Sequence, residues 1–270
     1  MADLQGFDSE YTYIESAVDS ANSLGIAVSP NTTIHTMGAI KELIASTAED
    51  TDLIELQIWT GAAKEDYAFD ILIGAASSEV VIASAVRICG GATVEIQQSV
   101  LIPVSIPAGT RLSARVQASI ASAADGILIA KLFSNTLSAL PSYSNVVALN
   151  ESSTRGTAID AGATINTKGS WAECVASTSD DYARLMVSIG RNDNNNFAAG
   201  GDFLIDIALG TTIIHGDYGV QTESGEQFSM GLFYYIDHAV PAGTQIQARC
   251  QSSGNDASDR IQDVIVYGVH

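Results

Sequence analysis

Apolar and polar positions alternate with a period of two along much of this chain. Residues 53–58 (Leu-Ile-Glu-Leu-Gln-Ile) and 183–189 largely alternate, as a strand with one face in a core does. Residues 110–118 and 244–251 alternate cleanly, and 67–73 and 203–209 are apolar runs that each end in Gly. Residues 80–86, 94–102, 127–133, 233–236 and 261–269 add further short runs. This spacing predicts about eight short strands in each half of the chain, the pattern of an all-β sandwich.

The halves are copies of one another. Residues 25–58 align without a gap onto 156–189, at an offset of 131. Gly25, Ala27, Thr33, Ile34, Thr36, Gly38, Glu42, Ala45, Ser46, Thr47, Asp50 and Ile58 meet identical residues. A second block, 106–119, lies over 240–253 at an offset of 134 and contains Pro-Ala-Gly-Thr in both copies. Two blocks in the same order at nearly the same offset mean a duplicated domain. The copies then act as controls: a feature in both is expected to serve the fold, and a feature in one is a candidate for function. Pro fixes φ and Gly can supply a positive φ, so Pro-Ala-Gly-Thr reads as a tight turn into the next strand. Arg115 and Arg249 recur on polar faces, where pairing with an acid across strands is expected. His35 aligns with Asn166, a position asking for a small polar group. Trp171 aligns with Ile40, which predicts a core role. Tyr234 and Tyr235 are adjacent in a strand and should point to opposite faces.

The organisation read from this pattern is an N-terminal arm (1–24), a first β-sandwich (25–133), a linker (134–155) that packs partly on a neighbouring domain, and a second β-sandwich (156–270). The arm shows no counterpart in the second copy. Tyr11, Ile14, Val18, Ala21 and Leu24 fall at helical spacing between Ser9, an N-cap, and Gly25, a stop, which predicts a helix. The alternation of Tyr11 and Tyr13 leaves an extended arm open. An apolar stripe outside the repeat is a candidate docking segment, with Tyr11, Ile14, Val18 and Leu24 as its contacts. The plain alternative is that it folds back on its own domain.

Composition narrows the function. The hydrophobic fraction is 46% with 16% charged residues, which is globular rather than disordered. Twelve basic residues face 31 acidic ones, for a net charge of −19, and the basic residues do not cluster. No nucleic-acid partner is expected, because displacing phosphate counterions needs a basic footprint. No membrane partner is expected either: acidity repels anionic membranes, and no apolar run has transmembrane length. The start of the chain carries no basic-plus-apolar signal. The cysteines, Cys89, Cys174 and Cys250, have no zinc or disulfide-framework spacing. Cys174 and Cys250 align with Leu43 and Val116 and so read as small buried hydrophobes, with a Cys174–Cys250 bridge as the weaker option. His35, His215, His238 and His270 show no metal spacing, and no nucleophile elbow or phosphate loop is present. The second copy alone carries the oxygen-rich run Asn192, Asp193, Asn194, Asn195 and Asn196. It lacks the alternation and terminal Glu of a calcium loop, so it is read as a contact loop. No catalytic set, cofactor or metal is expected.

Residues 69–82 (Phe-Asp-Ile-Leu-Ile-Gly-Ala-Ala-Ser-Ser-Glu-Val-Val-Ile), a second apolar strand and then Ile106-Pro-Ala-Gly-Thr-Arg-Leu-Ser-Ala-Arg115 resemble β-sandwich virion proteins of tailed bacteriophages. The resemblance covers both repeats and rests on turns and strands. It implies two tandem jelly-roll-like β-sandwiches in a non-enzymatic structural protein, decorating or cementing a phage head or forming part of its tail. The partners implied are other virion subunits and further copies of this chain, with a homotrimer expected by analogy. The location implied is a virion assembled in the host cytoplasm. The alternative is a carbohydrate- or receptor-binding module of a tail or fibre.

Overall fold

The alternating segments form strands. The computed structural model describes residues 13–15, 25–60, 66–89, 96–121, 123–134, 143–151, 156–190, 201–222, 234–254 and 261–270. In the first copy these give β1 (Tyr13–Glu15), β2 (Ile26–Val28), β3 (Lys41–Ile44), β4 (Leu53–Thr60), β5 (Asp66–Ile73), β6 (Val80–Cys89), β7 (Ile96–Ile102), β8 (Leu112–Ala118) and β9 (Gly126–Phe133). The second copy repeats the series as β10 (Val146–Ala148), β11 (Thr157–Asp160), β12 (Ala172–Val175), β13 (Arg184–Gly190), β14 (Gly201–Leu209), β15 (Thr212–Thr222), β16 (Tyr234–Ile236), β17 (Ile246–Ser252) and β18 (Ile261–Val269). No helix occurs among the described residues.

In the first copy β9 lies between β4 and the pair β1 and β2, with β7 beyond β4, while β3, β8, β5 and β6 are neighbours in the facing sheet. In the second copy β18 lies between β13 and the pair β10 and β11, with β16 beyond β13, and β12, β17, β14 and β15 form the facing sheet. This order, the same twice, is that of a jelly roll. The protein is all-β, with two tandem jelly-roll sandwiches built from an internal duplication.

Residues shared by the two alignment blocks meet at the Pro-Ala-Gly-Thr turn. The Thr47 hydroxyl donates to Pro107 O at 2.7 Å and accepts from the Thr110 amide at 3.0 Å. Thr178 does the same with Pro241 at 2.7 Å and Thr244 at 3.0 Å. Asp50 and Asp181 accept from the Ala108 and Ala242 amides, each at 2.7 Å. Gly109 and Gly243 supply the positive φ, 75° and 81°, as the turn requires. Thr178→Ala removes a donor and an acceptor at once and is expected to cost about 1–3 kcal/mol. Urea unfolding measures this; a loss within noise would mean that the turn holds without the threonine.

His35 and Asn166 also occupy one position, and its requirement is conformational. Both have a left-handed backbone, φ 54° and 55°, which Asn and His tolerate better than most side chains. Gly38 and Gly169 recur because a Cβ at either would fall on the carbonyl oxygen of Ser29 or Asp160.

The arm departs from expectation. Tyr13–Glu15 is a strand, antiparallel to β9, with Tyr13 opposite Phe133 and Glu15 opposite Lys131. The ladder, not a helix, satisfies its backbone, so at these residues the chain is extended and folded onto its own domain. Tyr11, Val18 and Leu24 lie outside the described residues. The arm also has a counterpart after all. β10 runs antiparallel to β18 with Val146 opposite Val269 and Ala148 opposite Tyr267, the place β1 takes on β9. The segment between the copies therefore carries the second jelly roll's own leading strand.

That strand has a second neighbour. β10 pairs in parallel with β6 of the first copy, Val146 opposite Ala83, so strands of both copies form one nine-stranded sheet. β18 is consequently buried on both faces. Val264 and Val266 enter the second core, whereas Ile265, Tyr267 and Val269 enter the first. This is why residues 264–267 are an unbroken apolar run while the equivalent strand β9 alternates buried and half-buried positions.

Candidate functional site: the free edge of the second sandwich

Most of the chemistry-bearing residues singled out in the sequence serve the fold. Asp70 accepts from the Ala85 amide at 3.0 Å and pairs with Arg115 at 2.7 Å. Asp206 accepts from the Asp217 amide at 2.9 Å and pairs with Arg249 at 2.9 Å. Ala85 and Asp217 each bulge their strand at positive φ, 49° and 54°. The cross-strand Arg–acid pairs are thus clamps on the same bulge, twice over. Burial opposes ionisation of Asp206, but Lys168 at 2.7 Å, the Asp217 amide and Arg249 outweigh it and hold the carboxyl below its ordinary range. Cys174 and Cys250 are free and buried, and burial pushes both thiols up to about 12. Trp171 is not a core residue: it is half-buried at the surface, with the Arg249 guanidinium 4.3 Å over its ring. A shallow pocket recurs beneath the loop leading into β3 and β12, about 390 Å³ beside Ile40 and about 330 Å³ beside Trp171. Its recurrence marks it as a product of the fold. Among the described residues no three His, Cys, Asp or Glu side chains gather into a metal-binding group, and no helix is long and apolar enough to cross a membrane. Asn192, Asp193, Asn194, Asn195 and Asn196 lie outside the described residues.

The junction between the copies is where unshared residues concentrate. The Tyr267 hydroxyl donates to Ala85 O at 2.9 Å and accepts from the Arg87 amide at 3.3 Å. The fully buried Arg87 guanidinium donates to Asp263 O at 3.1 Å. The Ala148 amide donates to Ser84 Oγ at 2.8 Å, and the Tyr235 hydroxyl donates to Leu101 O at 2.6 Å. Tyr235 thus faces the first copy while its neighbour Tyr234 faces the second core, the opposed placement expected of adjacent strand residues.

Among the described residues, the counterpart of this covered edge in the second copy is open. β15 corresponds to β6 through the shared bulge, yet its only strand neighbour among the described residues is β14. Where the junction has Ala83, Val86 and Val100, the second copy has His215, Tyr218 and Tyr234. These three form an aromatic cluster: Tyr218 and Tyr234 stack at 4.0 Å, and His215 lies 5.1 Å from Tyr234 and 5.6 Å from Tyr218. Burial pushes both tyrosine hydroxyls up, Tyr234 far above its ordinary value. The Tyr234 hydroxyl is buried and has no hydrogen-bond partner among the described residues. The sequence signal for this cluster was available only by aligning β15 with β6, where the two copies share almost no residue. Ile34 and Ile165 add a second repeated surface feature. They occupy equivalent loop positions and remain 45% and 47% exposed, so the recurrence of this residue is not explained by either core.

Fold and site define a tandem jelly-roll protein that has, among the described residues, an unfilled sheet edge and no gathered metal-binding group. No protein-family model matches the chain, and no curated protein matches it. Among solved structures it is similar to the STIV MCP at 10% identity and a TM-score of 0.41, over 96% of both chains. It is also similar to the N-terminal CBM22-1–CBM22-2 tandem domain of Xyn10C from Paenibacillus barcinonensis at 9% identity and a TM-score of 0.29, over 97% of this chain and 92% of that one. The fold assignment rests on strand order and register, not on these likenesses.

Proposed function

We propose that this chain is a non-enzymatic structural subunit of a bacteriophage particle, decorating or cementing the capsid or forming part of the tail, and assembled in the host cytoplasm as a homo-oligomer. The observation that carries the reading is the nine-stranded sheet. The two jelly rolls are joined edge to edge in one sheet, and among the described residues the equivalent edge at the far end has no further strand. That is the form of a repeating unit. The equivalently exposed Ile34 and Ile165 provide matched apolar contacts on both copies. Mass spectrometry of purified particles should find the chain at a stoichiometry of many copies, and particles from a host lacking it should be fewer or less heat-stable. Absence of the chain from purified particles would overturn the proposal. A screen of glycans, peptides and esters should show no turnover.

A second reading, a carbohydrate- or receptor-binding module, has one observation in its favour: the half-buried aromatic cluster of His215, Tyr218 and Tyr234 at an open edge. Saturable glycan binding that Tyr218→Ala abolishes would favour it.

A further inference from the structure

We propose that the free edge of β15 in one chain pairs in parallel with β1 of a second copy, repeating between chains the β6–β10 junction that already exists within one. The inference supplies the partner for the proposed structural role and rests on that role only for its biological setting.

Three placements lead to it. First, β1 occupies on β9 the position that β10 occupies on β18, Tyr13 opposite Phe133 as Val146 is opposite Val269. In the described residues β1 has β9 as its neighbour and lies at the edge of its sheet, whereas β10 has β6 on its other side. Second, β15 is the equivalent of β6. It carries the equivalent bulge, clamped by Asp206 as Asp70 clamps that of β6, and its eleven residues run along an edge that is open among the described residues. An unpaired edge of that length is a template for a further strand. Third, the surfaces flanking these strands match. In the internal junction the outer face of β18 puts Ile265 and Val269 into the first core. The same face of β9 carries Ile129, half-buried, and among the described residues no strand layer lies over it. Tyr267, which reaches the bulge at Ala85, corresponds to Lys131 on β9, and the bulge residue it would meet on β15 is Asp217, whose exposed carboxylate pairs with Lys168 at 2.9 Å through one oxygen. A hydroxyl-to-backbone hydrogen bond at the bulge is thus replaced by side chains of opposite charge.

The internal pairing sets Val146 opposite Ala83, so the intermolecular register sets Tyr13 opposite His215. The joined surfaces differ, which makes the contact heterologous. Successive copies then close into a ring or run on as a filament.

The test uses the full chain as Tyr13→Cys and His215→Cys single variants and the double variant, under mild oxidation. An equimolar mixture of the two singles should give a covalent dimer containing one of each, and the double variant should give a ladder or a closed ring. Each single alone should not cross-link above the wild-type background. Dimers from one single alone would mean an isologous contact and would overturn the proposal, as would a folded mixture that forms none. A second variant, Lys131→Glu, lies on a half-buried surface position and should weaken self-association at least tenfold in sedimentation; unchanged association would overturn the proposal. Particle composition and cross-linking separate the two readings. A chain found in particles but not cross-linked loses this junction alone. A chain that cross-links but is absent from particles loses the virion role alone.

Discussion

Replacing Tyr267 by alanine is expected to lower the stability of the whole chain by about 3–5 kcal/mol, the range for deleting a buried aromatic ring. The ring is fully buried, yet it belongs to the core of the first copy although it is carried by the last strand of the second. Its loss leaves a cavity at the junction, and it leaves Ala85 O and the Arg87 amide without the hydroxyl that serves both. Tyr267→Phe keeps the ring and isolates the second effect, about 1–3 kcal/mol for stranded buried groups. The equivalent residue of the first copy, Lys131, is half-buried at the surface, and Lys131→Ala should change monomer stability by about 0.5 kcal/mol or less. Chemical unfolding of the three variants at one dilute concentration decides the matter. If Tyr267→Ala cost no more than Lys131→Ala, the junction would contribute nothing to the fold.

Asp206→Ala should cost about 3 kcal/mol, near the lower end for removing one partner of a buried ion pair. The carboxylate is buried and serves three donors, Lys168, Arg249 and the Asp217 amide. The two cations it leaves behind retain 17% and 26% side-chain exposure, so water relieves part of the loss. The effect should also depend on pH. Lys168, Arg249 and the bulge amide hold the folded carboxyl below its unfolded value, 3.8, against the opposing effect of burial. A group with the lower pKa in the folded state gives its full stabilisation above the unfolded pKa and loses it as pH falls through the folded one. The stability gap between wild type and Asp206→Asn should therefore be constant from pH 7 to about pH 5 and shrink below about pH 4. A gap that grew on acidification would mean that the carboxyl is not held ionised by these partners.

Where the chain repeats itself, its sequence was informative. Thr47, Asp50 and Gly109 align with Thr178, Asp181 and Gly243 because one turn needs a hydroxyl, a carboxylate and a positive φ at fixed places. The Arg–acid pairs and the buried cysteines were legible for the same reason. The lead strands were not. Tyr-Ile-Glu at β1 and Val-Val-Ala at β10 share no residue, and three-residue strands are too short to show a period. What makes them equivalent is their register on β9 and β18, a long-range property. The helical spacing around Ile14 misled because local periodicity competes with an available sheet edge, and at Tyr13–Glu15 the edge wins. Trp171 misled because its partner Ile40 was itself assumed to be buried, whereas it is 39% exposed. The aromatic edge of β15 was hidden because its residues depart from the first copy, which is also what makes it a candidate for function.

The placement of β10 separates two notions of a unit that usually coincide. What was duplicated is one jelly roll with its leading strand. What melts is expected to be larger. A chain divided between the copies would leave β6 without its parallel neighbour and would turn Ile265, Tyr267 and Val269 outward to water. Neither half is then a natural truncation product, and a boundary drawn from the repeat would yield poorly soluble fragments. Scanning calorimetry of the intact chain should show one transition whose calorimetric and van't Hoff enthalpies agree. Two resolved transitions would return the cooperative boundary to the repeat.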